Sequence, residues 1–339
     1  MRVRLIDIAR DLNLSSVTIS KALRDHPDIS QKTKKRVQKR IKELNYQPDL
    51  RARALATGRT YMIGLVVPEL VNGFFAEIAQ AIARTAGKEK YSIVISASGD
   101  DPEMERHEIR NMLAMGLDAL IIASVQRTVE IYRRIEEQSV PYVLIDRRFA
   151  GLETNFVGVD DEEVGYMATK HLLDQGCRRI AHIGGPLIST STGRLAGYQK
   201  ALAEREITPL RGFIREHSVR DTDSERTGYL GMKKLLQLPT RPDGVFCHSD
   251  AAGIGAMRAI MECGLRIPED VAVIGCGNVT YGEMLAVSLS TVDQGIASIG
   301  HKAAKLALDA IESKNTALPK TVLVKPRLIV RKSTLHAGG

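Results

Sequence analysis

Cysteine is scarce in this sequence, and the spacing of its few cysteines rules out two classes of protein. The 339-residue chain has four cysteines and no CxxC pair, so a disulfide scaffold and a zinc ribbon are both excluded. We expect all four to be reduced thiols in a reducing compartment: Cys177, Cys247, Cys263 and Cys276. The sequence predicts no metal site and no cofactor.

Long apolar runs are also lacking. No apolar stretch approaches the roughly 20 residues that a membrane-spanning helix needs. The N-terminal MRVRLIDIARDLN carries charges throughout and has no apolar core of a signal peptide. We therefore expect a cytoplasmic protein without a membrane partner. The composition, 44% hydrophobic and 26% charged, excludes disorder over most of the chain because there is ample apolar surface to bury.

Motifs of catalysis and nucleotide binding are lacking as well. The chain has no GxSxG, no P-loop and no HExxH. A GxG at residues 275–277 is not followed by the third glycine of a dinucleotide-binding pattern. His248, Ser249 and Asp250 include the residue types of a hydrolytic triad, but consecutive side chains diverge and a triad must converge. The sequence predicts no catalytic residue and therefore no enzyme.

Positive charge is present, but it is concentrated at one end. Residues 1–60 carry 15 Lys and Arg against 6 Asp and Glu, whereas the other 279 residues carry 33 against 34. A small basic module on a nearly neutral body is typical of proteins that bind nucleic acid. A charge run alone also fits a solvated face that only aids solubility.

Three short helices are predicted in the basic segment. The first has one apolar face at i, i+3, i+4 and i+7, formed by Leu5, Ile8, Ala9 and Leu12. Asn13 tolerates the left-handed conformation that ends a helix, and Ser15 is a candidate N-cap for the second helix. A third helix begins after Ser30 and runs to about residue 44. The first two form a helix-turn-helix.

The second helix of such a unit lies in the major groove of DNA. Its first residues then meet base edges: Ser16 and Val17, with Lys21 as a donor to guanine. Thr18, Ser20 and several lysines are expected to hold phosphates. The alternative is that Val17 and Thr18 face the helical core. The predicted contacts here are Ser15, Ser16, Val17, Thr18, Ser20, Lys21 and Lys34.

The segment LIDIARDLNLSSVTISKALRDHPDISQKTKKRVQKRIKELNYQPDLRARALATGRT resembles the DNA-binding head of the lactose/galactose repressor (LacI/GalR) family. The matching positions are Asp7, Ala9, Ser15, Thr18, Ser20, Leu23, Tyr46, Pro48, Ala52, Arg53 and Leu55. Four positions depart: Arg4, Asn13, Lys21 and Asp49 replace Thr, Gly, Arg and Asn. Lysine lacks the bidentate fork of arginine, so either the preferred operator differs at that base or it is read less stringently.

The resemblance also implies a hinge in LRARALAT, residues 50–57. This segment is too short to be a stable helix alone, and in the family it folds only on operator DNA. Paired hinge helices of two subunits then enter the minor groove, with Leu55 as the wedge and Arg53 as a further expected DNA contact. The alternative is a plain linker.

The rest of the chain alternates strand and helix in two series, which predicts two doubly wound parallel-sheet subdomains. Several segments resemble the same family in order, including IGLVVPELVNGFFAEI, HLLDQGCRRIAHIGGP and LIVRKST. We therefore predict a helix-turn-helix domain at 1–48, a hinge at 49–59 and a periplasmic-binding-protein-like core at 60–339. The tail crosses back, which divides the core into an N-subdomain (about 60–159 plus 291–319) and a C-subdomain (about 160–290 plus 320–335).

Ligands of open α/β sheets bind beyond the carboxyl ends of the strands. The residues expected there are Phe74, Phe75, Ser98, Asp146, Arg194, Ser249, Asp250 and Asn278. Only one of the two phenylalanines is expected to face the cleft. The resemblance makes Arg194 and Asp146 the main polar effector contacts; the alternatives are that Asp146 caps a turn and that Arg194 pairs with a carboxylate. Gly277 replaces a carboxylate, which disfavours a common hexose and leaves sugar acids, disaccharides and sugar phosphates open.

These observations predict a transcriptional regulator, most simply a repressor, that binds a pseudo-palindromic operator as a homodimer. A sugar-like effector in the core would control it. Two alternatives stay open at this stage: a small-molecule sensor whose DNA contact is incidental, and an enzyme that uses the cleft. Whether the effector induces or corepresses is also open.

Overall fold

The structure is a computed structural model that describes residues 3–23, 25–46, 54, 58–71, 73–149, 151–215, 223–313 and 318–335. Its contacts divide the chain into two compact units, residues 1–60 and 61–339. We call them the head and the core. The sequence predicts a core that begins at residue 60.

The head contains three helices, α1 (Leu5–Leu12), α2 (Ser16–Leu23) and α3 (Gln31–Glu43). Asn13 ends α1 in the left-handed conformation, with φ 55°. Ser15 Oγ accepts the Thr18 amide at 3.0 Å, and Ser30 Oγ accepts the Thr33 amide at 3.3 Å. Side chains of all three helices form one small apolar core, whose fully buried members are Ile8, Ala9, Ile19, Ala22 and Val37. The helix-turn-helix prediction is confirmed.

The core has two lobes, each built on a six-stranded sheet with helices on both faces, as the alternation of strands and helices predicts. The first lobe contains β1 (Met62–Val67), α4 (Gly73–Lys88), β2 (Ser92–Ala97), α5 (Pro102–Ala114), β3 (Ala119–Ile122), α6 (Glu130–Glu137), β4 (Tyr142–Ile145) and β5 (Asn155–Gly158). The second contains α7 (Asp161–Asp174), β6 (Ile180–Ile183), α8 (Ser189–Ala203), β7 (Ile214–Arg215), α9 (Ser224–Leu236), β8 (Gly244–Cys247), α10 (Asp250–Glu262) and β9 (Ala272–Gly277).

The last elements, β10 (Ser290–Asp293), α11 (Ile296–Glu312), β11 (Thr321–Leu323) and β12 (Arg327–Ile329), cross between the lobes twice, from β10 to α11 and from β11 to β12. The sheet orders are β11-β5-β4-β3-β1-β2 and β12-β10-β9-β8-β6-β7. The predicted assignment of 291–319 and 320–335 is therefore wrong at two strands. β10 pairs with β9 in the second lobe, and β11 pairs with β5 in the first. Strands of three or four residues carry too little pattern for their sequence to select one sheet over the other.

Membrane-spanning helices and metal-binding clusters are absent from the residues that the structure describes. No helix there is both long and apolar enough to cross a bilayer. No group of three or more His, Cys, Asp and Glu side chains is arranged to hold a metal ion in the same residues.

Glycines allow the helix pairs of the second lobe to approach closely. A Cβ added to Gly228 in α9 would collide with the backbone carbonyl of Ala252 in α10, and one added to Gly255 in α10 would collide with that of Glu225 in α9. Gly165 and Gly197 make the equivalent approach between α7 and α8. Backbone atoms cannot move aside as a flexible side chain can, so these crossings require glycine.

We expect Gly228→Ala to destabilise the core by about 1–3 kcal/mol, since the added methyl group overpacks two backbones. Gly87→Ala is the matched control, because its Cβ would meet no atom within 4 Å. That variant should gain about 0.5–1 kcal/mol, the usual advantage of alanine over glycine in a helix. Urea denaturation of both variants measures the difference. Equal stability of the two would show that the α9–α10 crossing is not close-packed.

Candidate functional site

The exposed face of α2 carries the residues that the sequence predicts for base contact. Ser16 is exposed, and Val17 is 62% exposed although it is apolar. Ile19, by contrast, is fully buried in the head core. The alternative in which Val17 faces the helical core is therefore wrong. Val17 and Lys21 are four residues apart and thus neighbours on one helix surface.

Lys21 does not extend freely into solvent. Its Nζ donates to Asp28 Oδ2 at 3.0 Å, although both side chains are partly exposed. Asp28 follows α2 in the turn that leads to α3. His26 Nδ1 lies 3.3 Å from the same carboxylate oxygen. The candidate base-reading ammonium is therefore held by an acidic neighbour within the head.

Lys34 has a different environment from the one that the sequence predicts. The expectation that it belongs to the exposed lysines of α3 is wrong, because its side chain is only 7% exposed. Its Nζ lies 2.7 Å from Asp25 Oδ1 and donates to the Asp25 carbonyl at 3.0 Å. Asp25 has a left-handed backbone, with φ 56°. Lys34 therefore anchors the turn between α2 and α3 rather than presenting its charge to phosphates.

Other lysines of α3 stay exposed, namely Lys32, Lys35, Lys39 and Lys42. Arg40 forms ion pairs with Asp11 and Glu43, so part of the positive charge is balanced inside the head. The predicted contacts Arg53 and Leu55 lie outside the described residues.

A cavity opens between the lobes of the core, at the carboxyl ends of the strands. It encloses about 720 Å³, counting its open mouth. Most of its polar lining comes from segments just after strands or at helix starts: Glu69, Asp100, Asp146, Arg147, Thr190, Ser191, Arg194, Ser224, His248, Ser249, Asp250 and Gln294. Both lobes contribute, so a molecule bound here would contact both.

Arg194, from the second turn of α8, is the buried centre of the second-lobe wall. Its Nε donates to Asp161 Oδ1 at 3.0 Å, its Nη1 to the His248 carbonyl at 2.6 Å and its Nη2 to Gln294 Oε1 at 3.2 Å. Burial raises the pKa of Asp161 to about 6, while the Arg194 guanidinium opposes that rise, so this carboxylate is ionised at neutral pH. Arg194 thus pairs with a carboxylate and also lines the cavity.

Arg147 has the corresponding place in the first-lobe wall. Its Nη1 donates to Asp100 Oδ1 at 3.2 Å and to the Ser124 carbonyl at 3.3 Å, and its Nε lies 3.6 Å from Asp146 Oδ2. The loop after β3 is fixed by the buried Glu105, which accepts from Ser124 Oγ at 2.6 Å. Burial raises the pKa of Glu105. Asp146 faces the cavity beside Arg147, with a left-handed backbone at φ 62°.

Glu69 adds a half-buried carboxylate at the end of β1. Its burial, together with the nearby charges of Asp100 and Asp223, raises its pKa to about 7, while Arg147 opposes the rise. The cavity therefore contains more carboxylates than guanidinium groups, and both of its guanidinium groups already have carboxylate neighbours.

Phe74 and Phe75 both line the cavity, so the prediction that only one of them faces it is wrong. Their rings meet edge to face with centroids 5.2 Å apart. Both are also buried in the core of the first lobe. They form the apolar part of the first-lobe wall of the cavity.

Two predicted effector contacts do not line the cavity. Ser98 is buried after β2 outside the lining, where Asp100 takes the expected place. Asn278 Oδ1 instead accepts from Arg331 Nη2 at 2.8 Å. The sequence reasoning missed Glu69, Asp100, Arg147, Ser191, His248, Cys276 and Gln294. The strand-end rule also indicates Glu69, Asp100, His248 and Gln294, because each lies at or just after the end of a strand.

Ser249 and Asp250 line the cavity, but much of their hydrogen bonding is structural. Ser249 Oγ caps α10 by accepting the Ala252 amide at 3.2 Å. Asp250 accepts from Thr291 Oγ1 at 2.6 Å and from the Val279 amide at 2.9 Å. Its carboxylate is thus committed to these donors.

Two exposed contacts join the lobes outside the cavity. Glu77 Oε1 in α4 accepts from the amide and the hydroxyl of Thr280, at 3.2 and 3.0 Å. Ser189 Oγ at the start of α8 accepts the Arg148 amide at 3.1 Å. Exposed single hydrogen bonds contribute little net free energy.

Comparisons with known proteins agree with this description. Residues 4–49 match the profile of bacterial regulatory proteins of the lacI family, and residues 169–334 match that of a periplasmic binding protein-like domain. The HTH-type transcriptional repressor PurR of Escherichia coli O139:H28 (strain E24377A / ETEC) is 33% identical over 330 residues, which cover 96% of this chain and 95% of PurR.

Solved structures agree as well. The Lac repressor dimer bound to operator and the anti-inducer ONPF has a TM-score of 0.86 and 26% identity, covering 99% of this chain and 100% of that one. The complex of the transcriptional regulator CelR with cellobiose has a TM-score of 0.73 and 27% identity, covering 98% and 100%.

Lys34→Met tests the anchoring of the turn. It keeps the buried stem but removes the ammonium, so we expect the free energy of opening of the head to fall by about 1 kcal/mol. Lys35→Met is the matched control at an exposed position and should change it little. Hydrogen exchange of the α2 and α3 amides in the full chain measures both. Unchanged protection in Lys34→Met would contradict the assignment of Lys34 as an anchor.

Asp161→Asn tests the buried ion pair of the cavity. It leaves the Arg194 guanidinium without its carboxylate, and breaking a buried pair costs about 3–5 kcal/mol. We expect a loss of that order in the urea unfolding of the core. Asp174→Asn, which removes an exposed carboxylate of the same helix, should cost less than about 1 kcal/mol. If both variants lose the same amount, Arg194 does not depend on Asp161.

Proposed function

The chain belongs to the LacI family of bacterial regulatory proteins, and we propose on that premise that it represses transcription by binding a pseudo-palindromic operator under the control of a small effector. The observation that carries the proposal is the combination, in one chain, of a basic head whose α2 exposes Val17 and Lys21 with a core whose two lobes close on a polar cavity. The first part can bind DNA, and the second can sense a metabolite.

The head supports sequence-specific binding in the major groove. Ser16, Val17 and Lys21 share the exposed face of α2, and they combine a hydroxyl, an apolar contact for a thymine methyl and an ammonium donor for guanine. We assign Ser15, Thr18, Ser20 and Arg53 to the phosphate backbone and Leu55 to the minor groove, as the family resemblance implies. These contacts fix the position of the head, and the α2 face supplies the specificity.

The cavity supports a polyhydroxylated effector. Hydroxyl groups both donate and accept, which matches a lining of carboxylates, guanidinium groups, a serine and a glutamine. Asp146 and Arg194 are the proposed principal contacts, with the Phe74–Phe75 wall against an apolar face of the ligand. The Lac repressor structure with ONPF and the CelR–cellobiose complex contain ligands of this general kind.

The proposed mechanism is a population shift. An effector that contacts both lobes favours one lobe angle, and through the hinge at 49–59 it favours one state of the DNA-binding heads. A ligand can do this only by binding the two states with different affinity.

A homodimer fits a pseudo-palindromic operator, because a two-fold protein reads two half-sites related by the same symmetry. The Lac repressor neighbour is described as a dimer on its operator. We propose α4 and its neighbours in the first lobe as the subunit surface. Since the DNA of a bacterial cell lies in the cytoplasm, we place the protein there.

The test begins with DNA. The full chain should bind one or a few fragments of its own upstream DNA more tightly than a scrambled duplex in fluorescence anisotropy. A thermal-shift screen of sugars, sugar acids and sugar phosphates then finds ligands that stabilise the core by mass action, and each is retested for its effect on DNA affinity. No preference for any fragment, with or without every ligand found, would contradict the proposal.

Asp146→Asn tests the cavity assignment. Asparagine tolerates the left-handed backbone at this position, so the variant should fold and bind DNA normally. Loss of a charge-assisted hydrogen bond should weaken effector binding by about 10- to 100-fold. Ser98→Ala, outside the cavity lining, is the control and should bind as the unaltered protein does. Titration calorimetry compares them; equal affinities would remove Asp146 from the site.

A further inference from the structure

The turn between α2 and α3 places a carboxylate on the proposed base-reading lysine. Asp28 Oδ2 lies 3.0 Å from Lys21 Nζ, and this hydrogen bond lowers the pKa of Asp28. The carboxylate is therefore charged over the whole physiological range of pH. An acidic group beside a DNA-reading side chain is unfavourable for general DNA affinity, because it repels phosphates.

Backbone hydrogen bonds fix the position of this carboxylate. The His26 amide donates to the Lys21 carbonyl at 3.0 Å, the Ile29 amide to the His26 carbonyl at 3.2 Å, and the Asp28 amide to His26 Nδ1 at 3.3 Å. The ion pair of Lys34 with Asp25 anchors the start of the same turn. Asp28 is thus presented to α2 by an ordered turn.

The chemistry of lysine explains what a fixed carboxylate could do there. An ammonium group has three rotating donors on a flexible stem and no preferred pair of directions, whereas the guanidinium of arginine is a rigid fork that fits guanine O6 and N7. When one N–H of Lys21 is committed to Asp28, the stem is restrained and the other two N–H groups point in defined directions. An Asp–Lys pair can then present two N–H donors in fixed directions, as the guanidinium of arginine does.

We propose that Asp28 is a positioning residue for sequence readout, which orients the Lys21 ammonium so that it discriminates one base pair of each half-site. The inference rests on the proposed function, in which Lys21 meets a base edge. Asp28 acts through Lys21 and need not touch DNA. It exchanges some general affinity for specificity, because its charge weakens binding to every sequence alike.

The experiment is selection of DNA from a randomised duplex library by the full chain, followed by affinities for the selected duplex and for each single-base change. The proteins are the unaltered chain, Asp28→Asn, Asp28→Glu, Lys21→Ala and the double variant Asp28→Asn with Lys21→Ala. Glu43→Gln is the matched charge control, because it removes another exposed carboxylate of the head that pairs with Arg40 instead.

We expect Lys21→Ala and Asp28→Asn to relax the preference at the same base pair of each half-site, by about fivefold or more. The double variant should lose no more than either single variant, since both act on one interaction. Asp28→Glu should keep most of the preference because it keeps the charge. Asp28→Asn and Glu43→Gln should both bind random DNA as tightly as the unaltered chain or more tightly, but Glu43→Gln should leave the base preference unchanged.

Three results would overturn the inference. If Asp28→Asn only raises affinity for all sequences, as Glu43→Gln does, Asp28 is an ordinary surface charge. If it changes the preference at a base pair that Lys21→Ala does not affect, Asp28 does not act through Lys21. If Lys21→Ala leaves every preference intact, Lys21 reads no base, although the repressor function stands as long as the unaltered chain selects a sequence. Failure of the unaltered chain to select any sequence would instead reject the proposed function.

Discussion

The need to pair one buried cation shapes the cavity of the core. The Arg194 guanidinium is almost fully buried, and a charge in that position is tolerated only with partners for its donors. Those partners come from three separate places: Asp161 at the start of α7, the His248 carbonyl after β8 and Gln294 after β10. The Arg194 side chain therefore holds three separate segments together beside the cavity. A ligand that forms hydrogen bonds with Arg194 would therefore affect all three segments.

The first lobe has a similar arrangement around Arg147, which is slightly less buried than Arg194. Arg147 joins the segments after β2, β3 and β4, and the buried Glu105 fixes the loop on which it rests. Outside the cavity the lobes are joined by exposed hydrogen bonds, including that of Thr280 with Glu77, and by buried apolar residues of both lobes that belong to one cluster. A ligand that contacts both walls can shift the population of lobe angles only through a difference in its affinity for them.

Much of this architecture could be predicted from local sequence patterns. The helix caps at Ser15 and Ser30 and the left-handed Asn13 follow from residue chemistry, and the strand-end rule correctly brings Asp146 and Arg194 to one cavity. Prediction failed where the answer depended on distant pairing. The sheet that receives β10 is decided by its pairing with β9 and β12, which the sequence of one short strand does not specify. The burial of Lys34 was missed because its partner, Asp25, becomes available only when the turn folds back on α3.

The central claim is that the cavity and the DNA-binding head share one equilibrium. Linkage makes this measurable without knowledge of the mechanism, because two coupled ligands must change each other's affinity by the same factor. The decisive measurement uses a molecule that binds the cavity. Its dissociation constant is determined once without operator and once with saturating operator. The dissociation constant of the operator is likewise determined without the molecule and with the molecule at saturation. The account predicts two equal factors that differ from one. A molecule that binds the cavity equally well in both conditions, with no effect on operator affinity, would contradict it for that ligand; the same result for every cavity ligand would contradict it altogether.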